Sequence, residues 1–311
     1  MAFGLATLRD GGAALVVDGK AIRLADHGET RDALALLDDW EATLPQLERI
    51  ADDAAFGIEQ AEFAVPYIPR QVFCTGANYR KHVIGLIMGD PSMRTAEHEG
   101  LSDNERRARV EKMMDERANA SLPFCFIKLP SCVVGPNDTV VLPRNVEKPD
   151  WELELGVVIG KRARHVSPDN AMDHVAGFVI VNDVTAREHI FRKDGSAIGA
   201  DWLSGKCFPT FLPFGPMIVP KQFVADPYTL NIRLSVNGKV YQDESTADMM
   251  INIERQVAYL SDRVELMPGD VICTGSPYGN GSAFGVFLKP GDVMEGTITG
   301  LGMQRNPCVA E

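Results

Sequence analysis

Apolar residues along this chain fall mostly in short bursts that suit strands. Long helical stripes are fewer. Ala13-Ala-Leu-Val-Val and Lys20-Ala-Ile-Arg-Leu flank Asp18-Gly19, and that arrangement predicts a hairpin. Ala33-Leu-Ala-Leu-Leu-Asp-Asp-Trp40 and its continuation carry helical spacing. Ala64-Val-Pro-Tyr-Ile-Pro69 reads as a linker, because its prolines discourage both helix and sheet pairing. Beyond it, Val72-Phe-Cys-Thr-Gly reads as a strand followed by a loop bearing Asn78, Tyr79 and His82. Leu153 to Ile159 and Gly177 to Asn182 read as further strands. Pro268-Gly-Asp and Pro290-Gly-Asp are turns that each open a strand, and Thr246 to Leu260 reads as a helix. The expected class is β-rich α+β, with a small N-terminal α/β unit over 1–65 and a larger domain over 70–311.

One stretch breaks this pattern. Residues 89–121 are dense in charges of both signs, with a thin apolar stripe of Val110, Met113 and Met114. Ser102 followed by Glu105 forms a capping box ahead of a helix. The segment reads as an exposed helical insertion between core strands, serving as a lid, or else as a family-variable decoration or a dimer contact.

Composition narrows the classes. The 311 residues are 45% hydrophobic and 24% charged, enough for a substantial core, and the formal net charge is −12. No basic face dense enough for nucleic acid is present. No run of apolar residues is long enough to span a membrane, and the N-terminal residues do not read as a secretory signal. The six cysteines lack any C-x-x-C spacing and several sit in apolar runs. Reduced thiols, and with them a cytoplasmic location, are expected.

The chemistry lies in three carboxylates. Glu152 and Glu154 lie two apart in the apolar run Trp151-Glu-Leu-Glu-Leu-Gly, so on a strand they share a face, with Leu153 and Leu155 opposite. Asp183 follows a second apolar strand. A lone E-x-E is more often a solvated edge-strand face. Carboxylates set this deep in apolar sequence, however, need compensation. A hard divalent cation supplies it: Mg²⁺ or Mn²⁺, with Ca²⁺ a third option.

The strings around these residues resemble the fumarylacetoacetate hydrolase superfamily from about Val72 onward. Gly76-Ala-Asn-Tyr-Arg-Lys-His82, Glu152-Leu-Glu-Leu-Gly-Val-Val-Ile-Gly160, Asn182-Asp-Val-Thr-Ala-Arg187, Gly205-Lys206-Cys-Phe and Cys273-Thr-Gly-Ser-Pro277 occur in the family's order. The resemblance implies a mixed sheet wrapped as a β-roll, a homodimer, and metal ligands at Glu152, Glu154 and Asp183. It implies His82 as catalytic base with Lys206, and substrate contacts from Tyr79, Arg187, Thr274 and Gly275. It implies a small 2-oxo acid substrate, and hydrolytic C–C cleavage of a 2,4-dioxo acid of the acylpyruvate or fumarylpyruvate type. Decarboxylation, hydration and isomerisation are the alternatives on the same site.

Two departures bear on that choice. Acylpyruvase relatives carry a glutamate three residues after the histidine, where this chain has Gly85. Glu97, Glu99 and Glu105 of the insertion are candidate replacements. Many relatives have a glutamine where Ile190 stands.

Overall fold

The computed structural model describes residues 1–53, 57–89, 100–191 and 199–311. Nine strands form the main sheet: β1 (Gly4–Thr7), β2 (Ala13–Val17), β3 (Lys20–Arg23), β4 (Val72–Gly76), β5 (Phe124–Lys128), β6 (Leu153–Ile159), β7 (Val175–Asn182), β8 (Met217–Pro220) and β9 (Val271–Cys273). Their order is β3-β2-β1-β8-β7-β6-β9-β4-β5, so the N-terminal hairpin extends the sheet that carries the carboxylates. Asp18 and Gly19 both take positive φ between β2 and β3, as a tight hairpin turn requires. The 64–69 stretch runs along β1, where Ala64 N–H donates to Thr7 O and Thr7 Oγ1 donates to Pro66 O.

Strand β6 is buried at every position, and its two faces feed two cores. Leu153, Leu155, Val157 and Ile159 point into a core shared with a five-stranded sheet that contains Asn231–Val236 and Val293–Ile298. Val158, with Val179 and Val181 of β7, joins a second core under helices α1 (Ala33–Asp38) and α2 (Trp40–Asp53). A layered sheet-rich fold results, with helices on one face and a second sheet on the other. Each Pro-Gly-Asp turn is closed by its aspartate: Asp270 Oδ2 accepts from Met267 N–H, and Asp292 Oδ2 accepts from Lys289 N–H.

Three local expectations change. His82 lies in helix α3 (Arg80–Gly89), where a loop was expected. Val83, Ile84 and Ile87 on its inner face pack against Val110 and Met114, and burying that stripe favours a helix. The insertion forms helix α4 (Asp103–Ala120), capped by Ser102 and Glu105 as expected, but it lies against α3 as a packed element. Thr246–Leu260 is not one helix. A 3₁₀ turn at Thr246–Asp248 gives way to helix α7 (Ile253–Ser261), because Asn252 caps α7 and Asn78 clamps the backbone of Ile251. Two short helices near the site, α5 (Arg187–Ile190) and α6 (Trp202–Lys206), complete the working set.

Candidate metal centre and cavity

The β6–β7 pairing gathers the carboxylates. The strands are antiparallel with Leu153 opposite Asn182 and Glu154 opposite Val181. One step past that register, Asp183 N–H donates to Glu152 O, so Glu152 and Asp183 face each other at the open end of the pair. Directly opposed residues share a face, and Glu154 lies two along from Glu152 on that face. One oxygen from each of the three carboxylates falls within 4.8 Å of the others, and all three side chains are buried.

Cations surround this cluster unevenly. Glu152 accepts from Lys206 Nζ and from Arg187 Nη2, each at 2.6 Å, and from Asn280 Nδ2 at 3.3 Å. Asp183 accepts from Lys206 Nζ and, at 2.6 Å, from Lys128 Nζ. Arg187 is held in turn by Asp150, which also accepts the Gly281 and Ser282 N–H groups. Glu154 differs. Its carboxylate accepts the Gly275 N–H at 2.8 Å but has no lysine or arginine at ion-pair distance among the described residues. Gly275 sits at φ +104, in a turn where an added Cβ would meet Thr75 O and Asn78 Cβ at 2.9 Å.

The titration of each group follows. Burial opposes a charged Glu152, but Arg187 and Lys206 outweigh it and hold the carboxyl well below the usual range. Burial first, and then the neighbouring carboxylates of Asp183 and Glu152, push Glu154 well above it. Burial works against a charged Lys206, yet Asp183 and Glu152 raise it above an ordinary lysine. The site thus contains one buried carboxylate whose ionisation lacks a counter-charge. A divalent cation seated among the three oxygens supplies that charge, and an all-oxygen donor set suits Mg²⁺, Mn²⁺ or Ca²⁺. The residues fit a metal of that class.

His82 borders the same cavity, of about 300 Å³. Its Nδ1 is buried with no hydrogen-bond partner, and the Asn280 side chain lies within hydrogen-bonding reach of the ring. Burial, with Arg187 and Lys206 nearby, lowers its pKa to about 4 against the opposing pull of Glu152, so the ring is neutral near pH 7. Among the described residues no carboxylate takes the place of the missing glutamate. A Cβ on Gly85 would lie 2.7 Å from the Tyr278 ring, which fills that position. Glu105 is spent on its capping box, and Glu97 and Glu99 lie outside the described residues.

The other expected residues divide. Arg187 and Lys206 line the cavity. Thr274 is buried with its hydroxyl donating to Leu155 O, and Gly275 is occupied by Glu154, so this turn braces a carboxylate. Tyr79 is buried in the main core and does not line the cavity. Lys128 and Asp150 were not foreseen. Lys128 shares the inward face of β5 with Phe126, two residues before it, and that alternation was the available signal.

Residues 71–309 match the family model described as Fumarylacetoacetate (FAA) hydrolase C-terminal. The chain is 35% identical over 296 residues to "Oxaloacetate tautomerase Fahd2a, mitochondrial" of Rattus norvegicus, covering 93% of this chain and 79% of that one. It is 46% identical over 189 residues to "Oxaloacetate tautomerase FAHD2B, mitochondrial" of Homo sapiens, a match spanning 60% of this chain and 59% of the relative's length. Among solved structures, a probable 2-hydroxyhepta-2,4-diene-1,7-dioate isomerase from Mycobacterium abscessus superposes with TM-score 0.77 at 28% identity, covering 100% of this chain and 99% of that one. Maleylpyruvate hydrolase from Sphingobium sp. SYK-6, solved with manganese(II) and pyruvate, superposes with TM-score 0.73 at 25% identity over 99% of both chains.

Proposed function

Because this chain belongs to the fumarylacetoacetate hydrolase family, we propose that it is a divalent-metal-dependent enzyme that interconverts the keto and enol forms of a small 2-oxo acid. Glu152, Glu154 and Asp183 are the proposed metal ligands, with His82 the group that carries the proton. The observation that carries this reading is the place of His82: buried at the cavity that the three carboxylates line, its Nδ1 without a hydrogen-bond partner among the described residues.

A divalent cation bound to the three carboxylates supplies charge that acidifies the carbon beside a keto group. The chain does the rest. Neutral His82 accepts a proton from that carbon, and the C–H electron pair becomes the enol double bond. The ring then returns a proton to the substrate oxygen, so it ends as it began. Burial and the nearby cations disfavour the imidazolium against the pull of Glu152, which suits a brief take-and-return transfer. Lys206 and Arg187 fix Glu152 in its ionised form and present positive charge to the substrate carboxylate.

Hydrolysis of a 2,4-dioxo acid of the acylpyruvate type is the second reading, favoured by the likeness to maleylpyruvate hydrolase. Product analysis separates the two. Protein stripped with a chelator and reloaded with Mg²⁺ or Mn²⁺ is offered oxaloacetate and a set of acylpyruvates. The proposal expects metal-dependent loss of enol absorbance with no pyruvate and no carbon dioxide formed. Release of pyruvate and a second acid would transfer the assignment to the hydrolase, and release of carbon dioxide to a decarboxylase.

A homodimer remains part of this proposal. Edge strand β5 and its surroundings expose Phe124, Ile127, Leu129 and Leu203, an apolar surface that a second copy would cover. Among the described residues no helix is long and apolar enough to cross a membrane. The six thiols are free, as a reducing compartment would keep them.

A further inference from the structure

The two oxygens of Glu152 are held by different groups, and so are those of Asp183. Glu152 Oε1 accepts from Arg187 Nη2 at 2.6 Å and from Asn280 Nδ2 at 3.3 Å. Asp183 Oδ1 accepts from Lys128 Nζ at 2.6 Å. The other two oxygens, Glu152 Oε2 and Asp183 Oδ2, both accept from Lys206 Nζ, with Thr185 Oγ1 a longer donor to Glu152 Oε2 at 3.4 Å. One ammonium therefore bridges two of the three carboxylates, at the oxygens that Arg187 and Lys128 leave to it.

The three cations are not equally fixed. Arg187 is also pinned by Asp150, and Lys128 by Val184 O, so each has a second anchor away from the oxygen it holds. Both anchors of Lys206 are the carboxylates themselves. Its backbone ends helix α6, which is seated hard against α5: a Cβ added at Gly205 would lie 2.5 Å from Ile190 Cγ1. Its ammonium, however, rides on a flexible four-carbon stem and borders the cavity. The Phe126 ring, whose centroid lies 5.1 Å from Nζ, offers a face that a displaced cation can rest on. Two cations on the same pair of buried oxygens repel each other with little screening, so one of them has to leave.

Resting on the divalent-metal reading above, we infer that Lys206 is a displaceable counter-ion: its ammonium holds Glu152 and Asp183 together until a divalent cation takes their Oε2 and Oδ2, and metal loading turns it into the cavity. The same step that loads the metal thus delivers a positive charge to the space in which a substrate carboxylate is held.

Metal affinity tests this without turnover. The metal-stripped full chain is titrated with Mn²⁺, and the free ion is read by electron paramagnetic resonance, for the parent, Lys206→Met and Lys128→Met. Both variants remove one positive charge from the cluster, but only Lys206 competes for the bridged oxygens. Lys206→Met should therefore bind Mn²⁺ more tightly than the parent and at least about tenfold more tightly than Lys128→Met, within the usual range of coupling between two ligands. Equal affinities in the two variants, or weaker binding by Lys206→Met than by the parent, would overturn the inference while leaving the metal reading standing. Should Lys206→Met fail to fold, the parent carries the test. Reductive methylation with formaldehyde and a borohydride, read by peptide mass spectrometry, should mark Lys206 faster in Mg²⁺-loaded than in chelated protein and leave Lys128 unchanged. Equal or slower marking of Lys206, or a rise shared with Lys128, would overturn it as well. If Mn²⁺ does not bind the parent, the metal reading falls and takes the inference with it.

Discussion

Replacing Lys128 with methionine tests how charge is balanced at the carboxylate cluster. Lys128 is fully buried, and its Nζ donates to Asp183 Oδ1 at 2.6 Å and to Val184 O at 2.9 Å. Around it, the carboxylates of Asp150, Glu152, Glu154 and Asp183 face three cations, Lys128, Arg187 and Lys206. Among the described residues, ionising Glu154 leaves the cluster short of one positive charge, and Lys128→Met makes it short of two. Methionine preserves most of the volume, so the packing cost is small. Breaking a buried pair by removing one partner costs about 3–5 kcal/mol. Asp183 keeps Lys206, so the lower end, about 3 kcal/mol, applies without metal. At about 2 °C per kcal/mol for a chain of this size, Tm should fall by about 6 °C. A divalent cation offsets two charges, so it should stabilise the variant more than the parent. Differential scanning fluorimetry with and without saturating Mn²⁺ reads both effects. The account expects a depressed Tm in chelator and a metal-induced rise several degrees larger in Lys128→Met than in the parent. An unchanged Tm in chelator, or equal metal-induced rises, would refute the charge balance and with it the placement of the metal.

Two further perturbations probe other parts of the argument. Gly85→Ala should cost about 1 kcal/mol by pressing on the Tyr278 ring, and Tyr278→Ala should relieve that cost; additive losses in a double-mutant cycle by urea denaturation would mean that Tyr278 does not fill the space facing Gly85. Glu29, clasped by Arg31, has its pKa lowered from 4.5 to about 2. Its contribution is therefore complete above its unfolded value and fades as pH falls from about 4.5 towards 2. Urea midpoints of the parent and Glu29→Gln should accordingly differ at pH 6 and converge near pH 2, and a constant gap across that range would contradict the shift.

The carboxylate cluster was legible because strand alternation acts over two residues and needs no tertiary knowledge. Glu152 and Glu154 share a face for that reason, and Asp183 joins them through a register whose ends the apolar runs already marked. Helix α3 was not legible. Its apolar residues form a short stripe that becomes a reason for helicity only once α4, distant in sequence, packs on it. The capping box of α4 was readable, since Ser102 and Glu105 meet within one turn, whereas the docking of that helix was not. Lys128 drew no expectation from the sequence, and only the fold places Asp183 at its tip. Tyr79 and Thr274 illustrate the reverse error. Both stand in the strings that carry the resemblance, yet Tyr79 fills core and Thr274 braces the backbone of β6. Motif membership did not distinguish a group that faces the cavity from one that supports it.

The central claim is that His82 moves a proton on a 2-oxo acid held at the three carboxylates. Proton NMR in D₂O follows it directly, through loss of the signal from the carbon beside the keto group of a 2-oxo acid that the panel shows to be turned over. The account predicts rapid exchange with Mn²⁺- or Mg²⁺-loaded protein and a return to the background rate after chelation. His82→Gln should slow exchange by about 10²- to 10⁴-fold, the usual contribution of a positioned acid–base group, with metal affinity unchanged. Exchange that persists in His82→Gln, or absence of exchange in a protein that hydrolyses acylpyruvates, would contradict it.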